Sequence, residues 1–367
     1  MSFGNNILFD LKFLFRCILN PLKKKCLYVG HIGYKNLGDE ILRDAIINIF
    51  YSYLLIVPQK GLLVRIFEKL GLIKFDVLLL GGGTLLLRSE GVLKRISAQG
   101  YNKKLVFGTG VANQIFWKDI PDNYGDFSQW IECLNKMDYV SVRGPMSRNI
   151  LEKLGLKNKV EVIGDPALYF LREINLNKKQ RNKRLGINVG TSKFGNKSDM
   201  LWGRNEEAFL RNFSTFLKMM VQDGWSIEIL PVCKEDLEAI KKVIFLSGFK
   251  DSITIFKNFF SVRDAIKRLE SYDVFVGQKL HAVVLSYCAN TPAIMIEYRP
   301  KCRDFMESIK MERFNIRTDE FEPLKVKNMT NSLYDNLEAV RLEAHNNCLY
   351  LKNTLLDAAK RASTIIK

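Results

Sequence analysis

One histidine of the sequence stands where an acid–base group is most useful. His281 follows an apolar run at residues 274–277 and precedes a second apolar stretch at residues 283–289, which predicts a junction between a strand and a helix. Histidine is the usual general acid or base near neutral pH, so His281 is a candidate catalytic residue and Lys279 beside it a candidate anion ligand. The alternative is a buried imidazole with a packing role only.

Charged and aromatic side chains follow two further predicted strands. Arg143 comes directly after the strand predicted at residues 139–142. The strand predicted at residues 293–296 is followed by four more candidate substrate ligands, Glu297, Tyr298, Arg299 and Lys301. Arginine can hold a carboxylate or a phosphate through two parallel hydrogen bonds. A surface salt bridge at Arg143 and a solvated basic loop after residue 297 are the alternatives.

Glycine-rich turns follow two other predicted strands. Backbone N–H groups at such turns can meet a phosphate or carboxylate without a side chain in the way. The candidate binding residues here are Gly33, Asn36, Gly38, Gly82 and Gly83. Their spacing matches neither the dinucleotide fingerprint nor the P-loop, and tight strand-to-helix turns are the alternative explanation.

Two acidic residues open the helix predicted at residues 39–53. Asp39 and Glu40 are explained by helix capping and by the helix dipole, which favours negative charge at this end. They are also candidate catalytic residues, because the helix begins at the edge of the sheet that is expected to face a ligand.

Short apolar runs that end in glycine or a charge recur along the whole chain, each followed by a helix-like segment. This alternation predicts an α/β fold with parallel sheets, whose strand carboxyl ends form the working edge. The predicted strands lie at residues 26–30, 76–80, 105–107, 139–142, 160–163, 185–189, 226–231, 253–256, 274–276 and 293–296.

A polar, basic stretch interrupts this rhythm and predicts a domain boundary. The predicted divisions are a basic amphipathic segment (residues 1–25), an N-terminal Rossmann-like domain (26–175), a linker (176–184), a C-terminal Rossmann-like domain (185–325) and C-terminal helices (326–367). A chain of 367 residues is long enough for two such cores.

Net charge restricts the partners. The chain has 56 Lys and Arg against 39 Asp and Glu, a net charge of +17, so some surface should attract anions. The basic residues do not alternate with aromatic side chains and no nucleic-acid motif accompanies them, so we expect no nucleic-acid partner. Seven scattered cysteines without metal-ligand spacing predict reduced thiols, a cytoplasmic location and no metal site.

The N-terminal segment is apolar and basic. On a helical wheel Lys12, Arg16 and Asn20 form one stripe, apolar residues cover most of the rest, and Lys23, Lys24 and Lys25 follow. The segment is too short and too charged to span a bilayer and is not typical of a signal peptide. It predicts either an interfacial helix on an anionic membrane, at the inner face of the cytoplasmic membrane, or a helix docked on its own protein.

The ordered series of motifs resembles the polysaccharide pyruvyl transferase family over residues 26–305. The matching pieces are Gly33-Tyr34-x-Asn36-x-Gly38-Asp39-Glu40, Gly81-Gly82-Gly83, Ser141-Val142-Arg143-x-Pro145-x-Ser147, Gly164-Asp165-Pro166-Ala167, and Leu280-His281-Ala282 followed by Pro292 and Tyr298-x-Pro300-Lys301. The series departs from the family where Gly144 replaces an acidic residue and Lys279 replaces an arginine.

The resemblance implies two Rossmann-like domains facing across a cleft, the GT-B-like arrangement. It also implies transfer of the enolpyruvyl unit of phosphoenolpyruvate, a co-substrate, to a sugar of a bacterial surface polysaccharide or its lipid-linked precursor, with closure to a ketal and no further cofactor. In this scheme Arg143, Lys279, Arg299 and Lys301 bind the donor. His281 acts as acid or base, and Asp39 or Glu40 holds or deprotonates the acceptor hydroxyls.

A glycosyltransferase of the same architecture that uses a nucleotide-activated sugar is the alternative function. Glu297 supports it, because an acidic residue just past a strand can accept hydrogen bonds from a ribose diol. The fold by itself does not separate the two activities.

Overall fold

Two compact α/β units make up the structure, which is a computed structural model and describes residues 3–30, 36–58, 60–117, 126–175, 182–192, 200–257 and 261–367. The first unit contains Met1–Tyr34, Asp39–Tyr169 and Asn353–Lys367. The second contains Lys35–Gly38 and Phe170–Lys352. The end of the last helix therefore belongs to the first unit, and a short piece of the N-terminal region belongs to the second.

The first unit is built on a parallel sheet. Its strands are β1 (Lys24–Val29), β2 (Leu54–Val57), β3 (Val77–Gly81), β4 (Thr84–Leu86), β5 (Lys103–Val111), β6 (Tyr139–Val142) and β7 (Val160–Val162). They pair in the order β2-β1-β3-β5-β6-β7, and β4 pairs with β5. The central strands are buried because helices cover both faces of a doubly wound sheet.

The described helices of this unit precede or connect its strands. They are α1 (Phe3–Leu19), α2 (Leu37–Ile49), α3 (Leu62–Lys69), α4 (Glu90–Ser97), α5 (Gln114–Trp117), α6 (Phe127–Asn135) and α7 (Pro145–Lys153), followed by a single turn at Pro166–Phe170. Pro145 occupies the first turn of α7, where its missing N–H costs no helical hydrogen bond.

The second unit is a parallel sheet with the strand order of a Rossmann fold. Its strands are β8 (Arg184–Asn188), β9 (Ser226–Ile229), β10 (Ile253–Ile255), β11 (Val274–Gly277), β12 (Ala293–Glu297) and β13 (Asn315–Arg317), in the order β10-β9-β8-β11-β12-β13. Its helices are α8 (Glu206–Gln222), α9 (Asp236–Ser247), α10 (Val262–Leu269), α11 (Leu280–Cys288), α12 (Pro300–Ser308), α13 (Pro323–Asp335) and α14 (Leu337–Ile366), with single turns at Lys250–Ser252, Glu312–Phe314 and Thr318–Glu320.

The ten predicted strands all form, so the predicted α/β class with parallel sheets is confirmed. Three strands were not predicted. β2 was missed because its apolar run follows an apolar helix without a glycine between them, and β4 and β13 are only three residues long. The predicted linker at residues 176–184 falls largely outside the described residues.

Helix α1 docks on the first unit through one of its faces. Phe13 and Leu14 are buried in a cluster with Leu55, Val57, Val64, Ile73 and Phe75. Asp10 is 1% exposed, and its carboxylate accepts hydrogen bonds from the backbone N–H groups of Gly61, Leu63 and Val64. Asp10 therefore caps α3 from a different helix, by the rule that carboxylates satisfy the free donors of a helix N-terminus.

Among the helices that the structure describes, none is long and apolar enough to cross a membrane.

Replacing Asp10 with alanine should loosen α3. The variant leaves three N–H groups without their acceptor, which should lower the free energy of local opening of this helix by about 1–2 kcal/mol. Amide hydrogen exchange in residues 61–69 should then be about five to thirty times faster. Ser89→Ala, which removes an exposed cap on α4, is the control and should leave exchange in α3 unchanged. Unchanged exchange in the Asp10 variant would show that α1 does not hold α3.

Candidate functional site

The candidate site of the second unit lies where its chain changes direction in the sheet. Strands β8 and β11 are neighbours, but the chain runs from β8 towards β10 on one side and from β11 towards β13 on the other. In an open α/β sheet, ligands bind outside the carboxyl ends of the strands at such a change of direction. The loop after β8 contains Gly190 and Thr191, and the loop after β11 contains Gln278 and Lys279.

Hydrogen bonds lock these two loops together. The N–H of Gly190 donates to Oε1 of Gln278 over 2.8 Å, and the N–H of Lys279 donates to Oδ1 of Asn188 over 2.8 Å. Gln278 and Asn188 are fully buried, so their amide groups serve as internal ties between the strand ends. These two hydrogen bonds join the end of β8 to the end of β11 and so fix the backbone of Lys279.

Lys279 is held between an acid and a carbonyl group. Its Nζ lies 3.4 Å from Oδ1 of the buried Asp236 and donates a hydrogen bond to the carbonyl oxygen of Thr191. Burial lowers the pKa of Lys279, but the negative charge of Asp236 and the proximity of Tyr298 and Cys233 outweigh burial, so the pKa lies above its ordinary value. Lys279 is therefore a stable cation at the sheet edge.

His281 lies in the first turn of α11, two residues after Lys279, and is partly buried. It packs against the backbone of Gly38, which belongs to the same unit although it comes from the N-terminal region. A Cβ atom at position 38 would stand 2.2 Å from Nδ1 of His281, which no real pair of atoms tolerates. The N–H of Leu37 donates to the carbonyl oxygen of Val232 over 3.0 Å and anchors this backbone. The glycine therefore makes room for the imidazole.

Three cations surround the ring of Tyr298. Nζ of Lys279 lies 5.4 Å from the ring centroid, Cζ of Arg299 4.9 Å and Nζ of Lys301 5.0 Å. Burial raises the pKa of Tyr298, but the positive charges of Lys301, Arg299 and Lys279 outweigh burial, so the pKa lies below its ordinary value. The ring face attracts cations. Three predicted anion ligands of this unit therefore lie close together around the ring of Tyr298.

Glu297 is engaged inside the unit. Its two carboxylate oxygens accept hydrogen bonds from Nε1 of Trp202 over 2.8 Å and from Nδ2 of Asn315 over 2.6 Å. Burial raises the pKa of Glu297, the two hydrogen bonds act in the opposite direction, and the pKa lies above its ordinary value. Glu297 ties β12 to β13 and to the loop before α8.

In the first unit the change of direction lies between β1 and β3. Gly33 follows β1 and lies outside the described residues. Gly82 and Gly83 follow β3 and have φ angles of +69° and +65°, which other residues rarely adopt. Oγ1 of Thr109 donates to the carbonyl oxygen of Gly82 over 3.0 Å, so the turn is pinned to β5.

Arg143 is buried in the first unit, with 1% of its surface exposed. Nη1 lies 3.6 Å from Oδ2 of Asp165, and Nη2 lies 3.5 Å from Oγ1 of Thr84. These contacts connect residues of β4 and of the segments after β6 and β7. Arg143 and Asp165 are both buried, and each charge compensates the other. The ion pair is buried, not a surface salt bridge, and contact between Arg143 and a substrate stays a prediction.

The first turn of α2 carries the remaining predicted residues. Oδ1 of Asn36 accepts a hydrogen bond from the N–H of Gly38 over 2.9 Å, so Asn36 caps the helix. Glu40 pairs with Arg43 one turn later. Asp39 and Glu40 are only partly buried, and a catalytic role for either stays a prediction.

Asp165 and Asp236, which pair with Arg143 and Lys279, were not among the predicted site residues. Asp165 was visible in a glycine-ended motif after β7 but was not chosen as a site residue. Asp236 begins α9 and had no sequence signal at all, because its pairing with Lys279 depends on how the second sheet is wound. The Gly190 turn after β8 carried the same glycine signal as the turns that were chosen.

The described residues contain no group of three or more His, Cys, Asp or Glu side chains that could bind a metal ion.

Residues 5–300 match the family described as polysaccharide pyruvyl transferase. This match covers most of the chain and includes Arg143, Lys279, His281 and Arg299. No curated protein matches the sequence.

Several solved structures share the fold. UDP-N-acetylglucosamine 2-epimerase from Rickettsia bellii has a TM-score of 0.57 at 14% identity, over 93% of this chain and 97% of that chain. Anabaena Alr3699/HepE in complex with UDP has a TM-score of 0.57 at 10% identity, over 94% and 99%. TarM from S. aureus, in a complex that contains UDP, has a TM-score of 0.51 at 13% identity, over 83% and 58%. The predicted fold class, with two Rossmann-like units of the GT-B-like type, is confirmed.

The cations around Tyr298 should make its hydroxyl ionise at unusually low pH. In the ultraviolet difference spectrum between the unmodified protein and Tyr298→Phe, the tyrosinate titration should have its midpoint below pH 10.0, the ordinary pKa of tyrosine. Tyr287→Phe is the control, because burial raises the pKa of Tyr287 and its difference spectrum should stay flat in this pH range. A midpoint for Tyr298 at or above pH 10.0 would contradict a dominant effect of the three cations on this hydroxyl.

Proposed function

Because the chain belongs to the polysaccharide pyruvyl transferase family, we propose that it transfers the enolpyruvyl unit of phosphoenolpyruvate to a sugar and closes it into a cyclic ketal. The observation that carries this proposal is the edge of the second sheet. There Lys279, Arg299 and Lys301 lie around the ring of Tyr298, and His281 follows Lys279 by two residues in the first turn of α11, just after β11.

The donor requires several cations. Phosphoenolpyruvate carries a phosphate and a carboxylate on the same carbon, so a site for it needs more positive charge than one side chain can give. Lys279 is paired with Asp236, Arg299 donates to the carbonyl oxygen of Met200, and Nζ of Lys301 lies 5.0 Å from the ring centroid of Tyr298. The cluster around Tyr298 thus offers three cationic groups to a dianionic ligand.

The reaction needs a proton at one carbon and a nucleophile at its neighbour. Protonation of the methylene carbon makes a methyl group while a sugar hydroxyl attacks the adjacent carbon. Phosphate then leaves, and a second hydroxyl attacks the same carbon and closes the ring. One donor molecule and a sugar diol thus give the ketal and inorganic phosphate: of the two protons that the hydroxyls lose, one is matched by the proton added to the methyl group and the other is carried by the released phosphate.

His281 is the group we assign to these proton transfers. His281 lies in the first turn of α11, and its ring is held against the backbone of Gly38, which fixes the position of the imidazole. Lys279 replaces the arginine usual in the family, so it offers charge without a planar fork to orient the donor. Asp39 and Glu40 remain our candidates for holding the acceptor hydroxyls.

We propose a surface polysaccharide of a bacterium, or its lipid-linked precursor, as the acceptor. The scheme places the enzyme in the cytoplasm, where phosphoenolpyruvate is available, and in peripheral contact with the membrane that carries the acceptor. It needs no cofactor besides the donor. These statements stay proposals.

A glycosyltransferase that uses a nucleotide-activated sugar is the second candidate. The UDP in two similar structures favours it. In this chain, however, the acidic residue that supported it, Glu297, already accepts hydrogen bonds from Trp202 and Asn315. We therefore rank pyruvyl transfer first.

Replacing His281 with glutamine should remove activity while the fold is kept. Loss of a general acid–base group lowers turnover by at least about 100-fold. The matched control is His345→Gln, since His345 is also largely buried but bonds to Asn290 beside α14. The measurement is steady-state release of phosphate from phosphoenolpyruvate with a sugar acceptor.

A second variant tests the same imidazole without altering it. Gly38→Ala places a methyl group against Nδ1 of His281 and should lower turnover in the same assay, whereas Gly91→Ala on α4 meets only Oγ of Ser89 at 3.5 Å and should not. Near-normal turnover in both the His281 and the Gly38 variants would return His281 to a packing role.

Ligand binding should separate the two candidate functions. We expect phosphoenolpyruvate to raise the melting temperature and UDP to leave it unchanged, because binding to the folded state alone stabilises it by mass action. Lys301→Gln should weaken the phosphoenolpyruvate effect, with Lys157→Gln on an exposed loop as the control. Stabilisation by UDP but not by phosphoenolpyruvate would favour the glycosyltransferase.

Product analysis then completes the test. Labelled phosphoenolpyruvate incubated with a panel of lipid-linked sugars should give labelled ketal and phosphate in equal amounts. Stabilisation by phosphoenolpyruvate without any phosphate release from the whole panel would contradict transfer to such acceptors.

A further inference from the structure

Exposed apolar side chains concentrate in two segments of the first unit. Eighteen large hydrophobic side chains are exposed in the part of the chain that the structure describes, and ten of them fall within residues 9–22 and 62–72. Ile18, Leu22 and Leu70 are 75%, 96% and 67% exposed. Single exposed apolar residues need no explanation, but a concentration of this kind marks a surface that meets an apolar partner.

The exposed side chains of α1 form a face of their own. Leu11, Phe15, Ile18 and Leu22 follow one another at spacings of four, three and four residues, which aligns them along one side of the helix and its C-terminal turn. The opposite, buried side carries Asp10, Phe13 and Leu14, which dock on the unit. Helix α1 thus has two apolar faces, and the described residues of this unit bury only one of them.

Helix α3 adds a second exposed stripe beside it. Leu62, Ile66 and Leu70 recur every four residues, and Leu72 follows in the next turn. The carboxylate of Asp10 caps α3, and Val64 packs in the cluster with Phe13 and Leu14. The two exposed stripes therefore belong to two helices that are in direct contact. We define the docking surface as these two stripes.

Basic residues surround the docking surface. Residues 1–25 and 60–74 contain nine basic residues, seven of them lysine, and two acidic ones, Asp10 and Glu68. Asp10 is buried as a helix cap and Glu68 pairs with Lys60, so little negative charge faces outward. Arg16 and Lys23 also lie over the ring of the exposed Tyr51, at 5.5 Å and 5.2 Å from its centroid.

We propose that this surface docks on an anionic lipid bilayer, with both helices lying in the interface and the lysines at the headgroups. Apolar stripes bordered by lysine are the composition of an interfacial membrane site. A second copy of the chain would bring the same positive charge against this one, and lysine is depleted in protein–protein interfaces. The proposal does not depend on the reaction catalysed.

The test is flotation of the full-length protein with lipid vesicles and no substrate. It should bind vesicles that contain phosphatidylglycerol and not vesicles of phosphatidylcholine alone, and salt should weaken binding. Serine at Leu62, Ile66 and Leu70 together should lower the partition coefficient by at least about tenfold, as should serine at Phe15, Ile18 and Leu22. Phe245→Ser with Leu246→Ser, which removes exposed apolar side chains of α9, is the matched control and should not change binding.

Charge is tested separately. Lys12→Gln with Lys69→Gln should weaken binding to anionic vesicles by about tenfold or more, while Lys157→Gln with Lys159→Gln in the same unit should not. Equal binding to neutral and anionic vesicles, or full binding by the α3 variant, would overturn the proposal. The proposal would also be overturned if the protein did not bind vesicles but self-associated in sedimentation velocity, and if the α1 variant abolished this self-association.

Discussion

The close approach of the Gly38 backbone to the imidazole of His281 is the constraint on which the candidate site depends. It brings a segment of the N-terminal region into the second unit, beside a helix that begins more than two hundred residues later. Only a residue without a Cβ fits there, and Leu37 is tied to Val232 by a backbone hydrogen bond. The imidazole therefore owes its position to a distant part of the chain as well as to its own helix.

The electrostatics of this edge follow from a second constraint, the crowding of cations. Lys279, Arg299 and Lys301 would repel one another in a dry site, but Asp236 balances one charge and the ring of Tyr298 faces all three. In the first unit the buried positive charge of Arg143 is balanced by the buried Asp165. One sheet edge thus groups three cations around an aromatic ring, and the other pairs one cation with one acid.

The N-terminal helix combines the two roles that its sequence left open. Its Asp10 face is part of the fold, because it caps α3 and fills a core cluster. Its Phe15 face is left exposed by the residues that the structure describes. A helix that is docked on one side and exposed on the other can place an enzyme at a surface without loosening its core, because the two faces use different residues.

The sequence by itself determined ten of the strands, the parallel α/β class, the family, and the candidate positions at the strand ends. These signals are local: apolar runs, turn residues and motif order lie within a few residues of one another. Only the tertiary structure decided that Asp236 pairs with Lys279, that Glu297 is occupied by Trp202 and Asn315, and that Arg143 is buried. These partners come from other strands and helices, and strand order sets which loops meet, so no spacing in the sequence encodes them.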